Sequence, residues 1–318
     1  MVHNTGFSGN PILVPLMSIP RSLFLVLSLF LVASCAEFSV QIKTEAEGKN
    51  FPADSSIKNN NQHNNNGALK ILSLNVAHGR KDAVNQMLVS TETIQLNLTE
   101  IAGVLSKENA DVVALQEADG PSGWSGNFDH VASIAKQAGY PWYYRADHAR
   151  SWLFSYGTAI LSQWPISETL EHTFKPSPPT LNKGFLISRM IWKPNPEKDK
   201  EVQVDIVSVH LDFSRQKVRE KQIAEMAEAL SKRNNPMIIL GDFNSDWFSE
   251  ESVVQELADK AQMKVYEPHA DNLHTYVKGG KRLDWILISN ELEFVSYKVL
   301  PDIISDHLAV AAEVKLVE

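Results

Sequence analysis

Three short stretches in the second half of the chain hold the residues best suited to chemistry. Arg282-Leu283-Asp284-Trp285-Ile286-Leu287 opens an apolar run with a carboxylate, and Ser305-Asp306-His307 stands directly before a second run, Leu308 to Val314. Acids and an imidazole are poor packing choices at the mouth of such strands. An aspartate bonded to an imidazole fixes the ring's orientation and stabilises its protonated form, so Asp284 and His307 read as a working pair, with Asp306 free beside them. Upstream, the apolar run Pro236 to Leu240 ends in Gly241-Asp242-Phe243-Asn244-Ser245-Asp246. A carboxylate there can take a proton from water, and a neutral amide can donate to a phosphoryl oxygen without competing for that proton. Alternation along an extended chain would point Asp242 and Asn244 the same way, while an Asx turn at a strand exit fits the same residues.

The elements that must carry these groups repeat one design. Leu69 to Val76 alternates and closes on Asn75, Ala110 to Leu115 runs into Gln116-Glu117-Ala118-Asp119, and Val202 to Val209 ends in His210-Leu211-Asp212. Together with the runs above, five strands thus carry Asn, Glu, His, Asp and Asp-His at an end, a poor coincidence. Between the runs, Thr93 to Asn109 places Ile94, Leu98, Ile101 and Leu105 on one helical face, and Phe128, Val131, Ile134, Ala135 and Ala138 repeat the pattern. Arg215 to Lys232 carries Val218, Ile223, Met226, Ala227 and Leu230 on one side and charge on the other. Strands interleaved with amphipathic helices describe an α/β domain.

The order Leu74-Asn75, Gln116-Glu117, Tyr156-Gly157-Thr158-Ala159-Ile160-Leu161-Ser162, His210-Leu211-Asp212, Gly241-Asp242-Phe243-Asn244-Ser245-Asp246, Arg282-Leu283-Asp284 and Ser305-Asp306-His307 resembles the endonuclease/exonuclease/phosphatase superfamily over residues 69–318. Several short motifs in one order are specific where each alone is weak. The resemblance implies an α/β (α+β) fold of the DNase-I-like kind: a four-layer αββα sandwich of two mixed sheets flanked by helices, with the site at one edge. Such proteins include nucleases, inositol polyphosphate phosphatases, sphingomyelinases and lipid-remodelling hydrolases. Asn75-Val76-Ala77-His78-Gly79 is closer to the sphingomyelinase-like and GPI-anchor remodelling branch than to the DNase branch.

With it comes a set of expected roles. Glu117 is the expected ligand of a hard divalent cation, joined by Asn75, Asp306 or Asp246 directly or through water; oxygen donors favour magnesium or manganese. Asp242 activates water, Asn244 and Asn75 hold the phosphate, and His210 with His307 neutralise the charge growing on its oxygens. Asp284 orients His307, and either Asp242 or the Asp284–His307 pair is the base. Tyr156, Asp212 and Arg282 are expected on the substrate side.

The amino end is a different object. Leu23 to Val32 is an apolar run behind Arg21, too short to span a bilayer, and Val32-Ala33-Ser34-Cys35 has the pattern of a bacterial lipoprotein signal, with Met17 as an alternative start. Cys35 is the sole cysteine, which excludes an intramolecular disulfide and is accounted for by lipidation. Residues 36–68, with the asparagine-rich stretch Asn59 to Asn66, read as a disordered polar tether of roughly 30 Å reach in which His63 is solvated linker. Domain organisation is therefore signal 1–35, tether 36–68 and catalytic domain 69–318. Export is expected and, if the cell is Gram-negative, attachment to the outer membrane facing the periplasm or outside, because Ala36 carries no acidic retention signal.

The net charge of -8 and the lack of any Lys/Arg-rich run disfavour a nucleic-acid partner. The expectation is a monomeric, magnesium-dependent phosphoesterase held at a membrane through Cys35, acting on a phospholipid head group or a small phosphate ester. A nuclease of the DNase-I kind and a non-catalytic binding lipoprotein are the alternatives. Trp124 and Trp152, in segments that look inserted, are candidates for an amphiphile-contacting rim or for loop anchors.

Overall fold

The computed structural model describes Met1 and residues 41–43, 67–195 and 200–317. The chain divides into two units, Met1–Ser39 and Val40–Glu318, and every strand and helix named below belongs to the second. Cys35 and the signal lie outside the described residues, as does nearly all of the 36–68 segment. Its Gln41–Lys43 portion is an exception to the tether reading, because it forms a short strand, β1, paired antiparallel to a sheet edge.

The remaining strands in chain order are β2 (Leu69–Asn75), β3 (Val112–Asp119), β4 (Trp142–Arg150), β5 (Ser155–Ser162), β6 (Ile166–Thr173), β7 (Gly184–Asn195), β8 (Lys200–His210), β9 (Met237–Asp242), β10 (Lys264–Val265), β11 (Asp284–Ile288), β12 (Leu292–Val299) and β13 (Val310–Leu316). The helices are α1 (Thr91–Glu108), α2 (His130–Ala138), α3 (Gln216–Leu230) and α4 (Val253–Lys260). Among the described residues there is a seven-stranded sheet, β1-β6-β7-β8-β9-β11-β10, and a six-stranded one, β12-β13-β2-β3-β5-β4. Both are mixed: β2 with β3 and β8 with β9 run parallel while their other neighbours are antiparallel.

Alternation sorts each central strand between two packing faces. Leu69, Ile71, Val112 and Ala114 of one sheet meet Ile238, Leu240, Ile286 and Ile288 of the other. The intervening residues turn outward. Leu72, Leu74, Val113 and Leu115 pack on Ile94, Leu98, Ile101 and Leu105 of α1 and on Val131 and Ile134 of α2. Ile239, Trp285 and Leu287 pack on Ile223, Met226 and Leu230 of α3 and Val253, Val254 and Leu257 of α4. Three apolar layers between four structural layers make the expected αββα sandwich.

Local capping explains the small boundary shifts. The Ser90 side chain accepts the Thr93 N–H to start α1, and left-handed Asn109 ends it. Asp129 caps α2, which leaves Phe128 outside the helix. Leu308 is likewise outside β13, because its N–H is bonded to the Thr275 carbonyl at 2.7 Å and the chain beside it bridges Tyr276 to His307.

Candidate active site

Register brings the strand ends into one row. His210 of β8 is the ladder partner of Asp242 of β9, and Asp242 is in turn the partner of Asp284 of β11. Across the sandwich, Asn75 at the end of β2 donates through Nδ2 to Asp242 Oδ2 at 3.0 Å. Its Oδ1 accepts the Ala77 N–H, which shapes the turn beyond the strand.

Asp242 is buried and surrounded by groups that can hold or exchange a proton. His307 Nε2 lies 3.9 Å and His210 Nε2 3.5 Å from Asp242 Oδ2, and the Asn244 N–H donates to Oδ1 at 2.9 Å. That last bond is an Asx turn. Asn244 is in the left-handed region at φ 49°, so the strand stops at Asp242 and the two side chains do not share a face by strand alternation. The Asn244 amide instead donates to the Leu211 carbonyl at 3.1 Å. Burial, with Asp284 adding to it against His307, pushes the Asp242 carboxyl up to about 7.

The Asp284–His307 pair is formed, with Nδ1 to Oδ2 at 2.7 Å. Thr275 Oγ1 donates to the same carboxylate oxygen at 2.6 Å and accepts the Asp284 N–H at 3.0 Å. Burial lowers the imidazole, but Asp284 and Asp242 outweigh it and push His307 up to about 10, so the ring is a cation at neutral pH. His210 is the opposite case. Burial and the ammonium of Lys183, 3.1 Å from Nε2, hold it well below the ordinary histidine value.

Glu117 occupies a bulge in β3 at φ 50°, between ladder partners Gln116 and Ala118. Its nearest basic nitrogens are His78 Nε2 at 3.3 Å, Lys183 Nζ at 3.9 Å and His210 Nε2 at 3.9 Å. Burial opposes ionisation, yet the positive charges of His78 and Lys183 hold the carboxyl far below its usual range. Among the described residues no hydrogen bond reaches its oxygens. A fixed, partly desolvated carboxylate with uncommitted lone pairs suits a hard divalent cation, and Asn75 on the adjacent strand offers a neutral oxygen donor. Asp242, Asp284 and His307 also form a three-donor group, but a His307 protonated at Nε2 and bonded through Nδ1 to Asp284 has no lone pair to offer an ion, so Glu117 fits the ion better.

The other expected residues are engaged elsewhere. Asp306 receives Arg80 Nη2 at 2.8 Å. Asp246 accepts the Phe248 N–H at 3.0 Å and the Arg282 N–H at 3.3 Å, and lines a cavity of about 270 Å³ with Trp247, Phe248, Asp271 and His274. Arg282 is buried between Trp285 and Tyr297 and donates to the carbonyls of Tyr266 and Glu267, which leaves its guanidinium a packing and loop-closing role instead of the expected substrate contact. Asp212 is also buried, accepting from Thr180, Ser214 and Arg215. It pins the loop that leads to Lys183, so its influence on the site is indirect. Tyr156 is buried, stacked on Trp124 at 5.6 Å, with its phenol raised by burial and by Glu117. Trp124 is thus a loop anchor, while Trp152 is 89% exposed.

Lys183, His78, Asp119, Thr275 and Arg80 join the site without a role assigned from sequence. Asp119 stands two residues after Glu117 and His78 three after Asn75, so a rule admitting every polar residue within one turn of a strand end finds both. Lys183 and Thr275 lie in loops with no periodic signal.

The chain belongs to the endonuclease/exonuclease/phosphatase family, whose characteristic sequence matches residues 72–307 and whose members hydrolyse phosphate esters. Solved structures share the fold. A family protein from Leptotrichia buccalis aligns over 78% of this chain and 100% of its own at 18% identity and TM-score 0.61. A mannosyl-6-phosphatase from Bacteroides thetaiotaomicron aligns over 77% and 99% at 17% identity and TM-score 0.56. The catalytic domain of human Nocturnin with bound sulfate aligns over 79% and 95% at 15% identity and TM-score 0.56. A search of curated sequences returned no match.

Proposed function

We propose that the protein is a divalent-cation-dependent phosphoesterase, carried on a lipidated Cys35, that hydrolyses a phospholipid head group or a small phosphate ester. The observation that carries this reading is the arrangement around Asp242: a buried carboxyl with raised proton affinity, held by the Asn75 amide and the Asn244 N–H and facing a cationic His307. Asp242 takes the proton of the attacking water, and its two amide contacts keep the receiving oxygens in place. His307, fixed through Nδ1 by Asp284 and Thr275, offers its Nε2–H to a phosphoryl oxygen, and Lys183 supplies a second positive charge beside neutral His210. A magnesium or manganese ion on Glu117 and Asn75 would add Lewis-acid stabilisation of the phosphoryl oxygens.

The acidic net charge favours small or lipid-borne phosphates over a nucleic-acid polymer. That a structural neighbour is a sugar phosphatase is consistent with it. A screen of the protein with magnesium and with chelator, against phospholipids, sugar and inositol phosphates, nucleotides and DNA, tests the reading. Chelator-sensitive release from a lipid or small ester is the expected outcome. Activity confined to DNA would establish the nuclease, and none on any phosphate ester would establish a binding lipoprotein.

A further inference from the structure

We infer that Trp124, Asp119 and His78 form a positioning chain for the Glu117 carboxylate; the inference rests on the assignment of the cation to Glu117. Its links are two hydrogen bonds and one ion-pair contact. Trp124 Nε1–H donates to Asp119 Oδ2 at 2.9 Å, Asp119 Oδ1 meets His78 Nδ1 at 2.6 Å, and His78 Nε2 stands 3.3 Å from Glu117 Oε2. With both oxygens of Asp119 occupied, its carboxylate cannot swing, and Asp119 is fully buried.

The imidazole is restrained from its faces as well. Tyr156 packs edge-on to it at 4.7 Å between centroids and Trp124 at 5.1 Å, and those two aromatic rings stack on each other. Its backbone is equally constrained. Ala77 and His78 lie in the left-handed region at φ 45° and 55°, a conformation that side-chain-bearing residues keep only when the surroundings hold them there. The holding contact is the Asn75 Oδ1 bond to the Ala77 N–H, reinforced by Asn97 Nδ2, which donates to the Gly79 carbonyl at 2.9 Å.

This geometry has a consequence for Glu117. The bulge lifts the residue out of the ladder, so no backbone regularity sets its side chain. The His78 contact falls on Oε2 and leaves Oε1 turned toward Lys183 and His210, where substrate phosphate would sit. An outer partner that fixes a ligating carboxylate is worth about 10- to 100-fold in metal affinity. A His78 that acted merely as a nearby positive charge would do the reverse, since its loss would tighten cation binding.

The test is calorimetric titration of the full chain in detergent with Mn2+, alongside thermal melting. Asp119→Asn should weaken Mn2+ binding by about 10- to 100-fold. Trp124→Phe, which keeps an aromatic ring and removes the N–H, should weaken it a few-fold while kcat at saturating Mn2+ stays near that of the parent. Glu117→Gln is the reference and should abolish this binding. Unchanged or tighter Mn2+ binding in Asp119→Asn, with Glu117→Gln still deficient, overturns the positioning chain alone. Normal binding in Glu117→Gln overturns the ion assignment together with it. Should Asp119→Asn melt out, Trp124→Phe decides by the same criterion.

Discussion

The site contains two carboxylate–imidazole pairs, and they face different partners. Asp284–His307 sits on β11 and the approach to β13, with 2.7 Å between Oδ2 and Nδ1, and points Nε2 at Asp242. Asp119–His78 sits at the end of β3 and the turn after β2, with 2.6 Å between the corresponding atoms, and points Nε2 at Glu117. The pairs are alike, but the acids they address are not. Asp242 is enclosed by amides and a second aspartate, so burial raises its proton affinity. Glu117 is enclosed by His78 and Lys183, whose charges hold it ionised. One carboxylate is equipped to exchange a proton and the other to keep a charge, and the neighbours, not the residue type, make the distinction.

The sharpest way to break this comparison is to remove the proton acceptor. Asp242→Asn keeps the shape and should lower turnover by about 10³- to 10⁴-fold. Asp284→Asn disturbs the orientation and charge of His307 and removes a negative neighbour of Asp242 while leaving the Asp242 carboxylate in place, so it should retain a larger residual rate than Asp242→Asn. Steady-state rates across the pH range rank the two. A more damaging Asp284→Asn would transfer the role of base to the His307 pair.

Glu117→Gln tests the other half. Losing a direct oxygen ligand should weaken activation by magnesium by about 100-fold or more, exceeding the effect of losing any outer partner. Rates followed against magnesium concentration give the answer, and an unshifted activation curve would remove the charge-keeping role.

The pH profile separates the two acids without mutation. A base whose proton affinity is raised to about 7 is mostly protonated below that pH, so kcat/KM should fall about tenfold per unit as pH drops below it. Above 7 the rate should level until His307 loses its proton near 10. An acidic limb near pH 4 would mean that Asp242 behaves as an ordinary exposed carboxylate.

The smallest effect is expected from Cys35→Ser. This variant should leave the membrane fraction while its turnover of a water-soluble phosphate ester stays unchanged, because the proposed chemistry uses Asp242, Glu117 and their neighbours and not this thiol. Fractionation and assay of both forms check it, and membrane attachment that survives the substitution sinks the lipid anchor.

Strand alternation and helical periodicity made the layers legible from sequence, since Leu69/Ile71 against Leu72/Leu74 and Ile238/Leu240 against Ile239 assign every central strand two faces. Polar residues at strand ends likewise marked Asn75, Glu117, His210, Asp242, Asp284 and His307, because a buried strand end gains nothing in packing from such groups. What those groups face depended on register and loops. Arg282 and Asp212 lie as near the acids in sequence as any true neighbour, yet their side chains close loops, whereas Lys183, in a segment without periodicity, reaches Glu117 and His210. Periodicity reports which way a residue points along its own element. Proton affinity and charge depend on groups that arrive from other elements, so only the tertiary structure could make Asp242 the acid that exchanges a proton and Glu117 the one that stays charged.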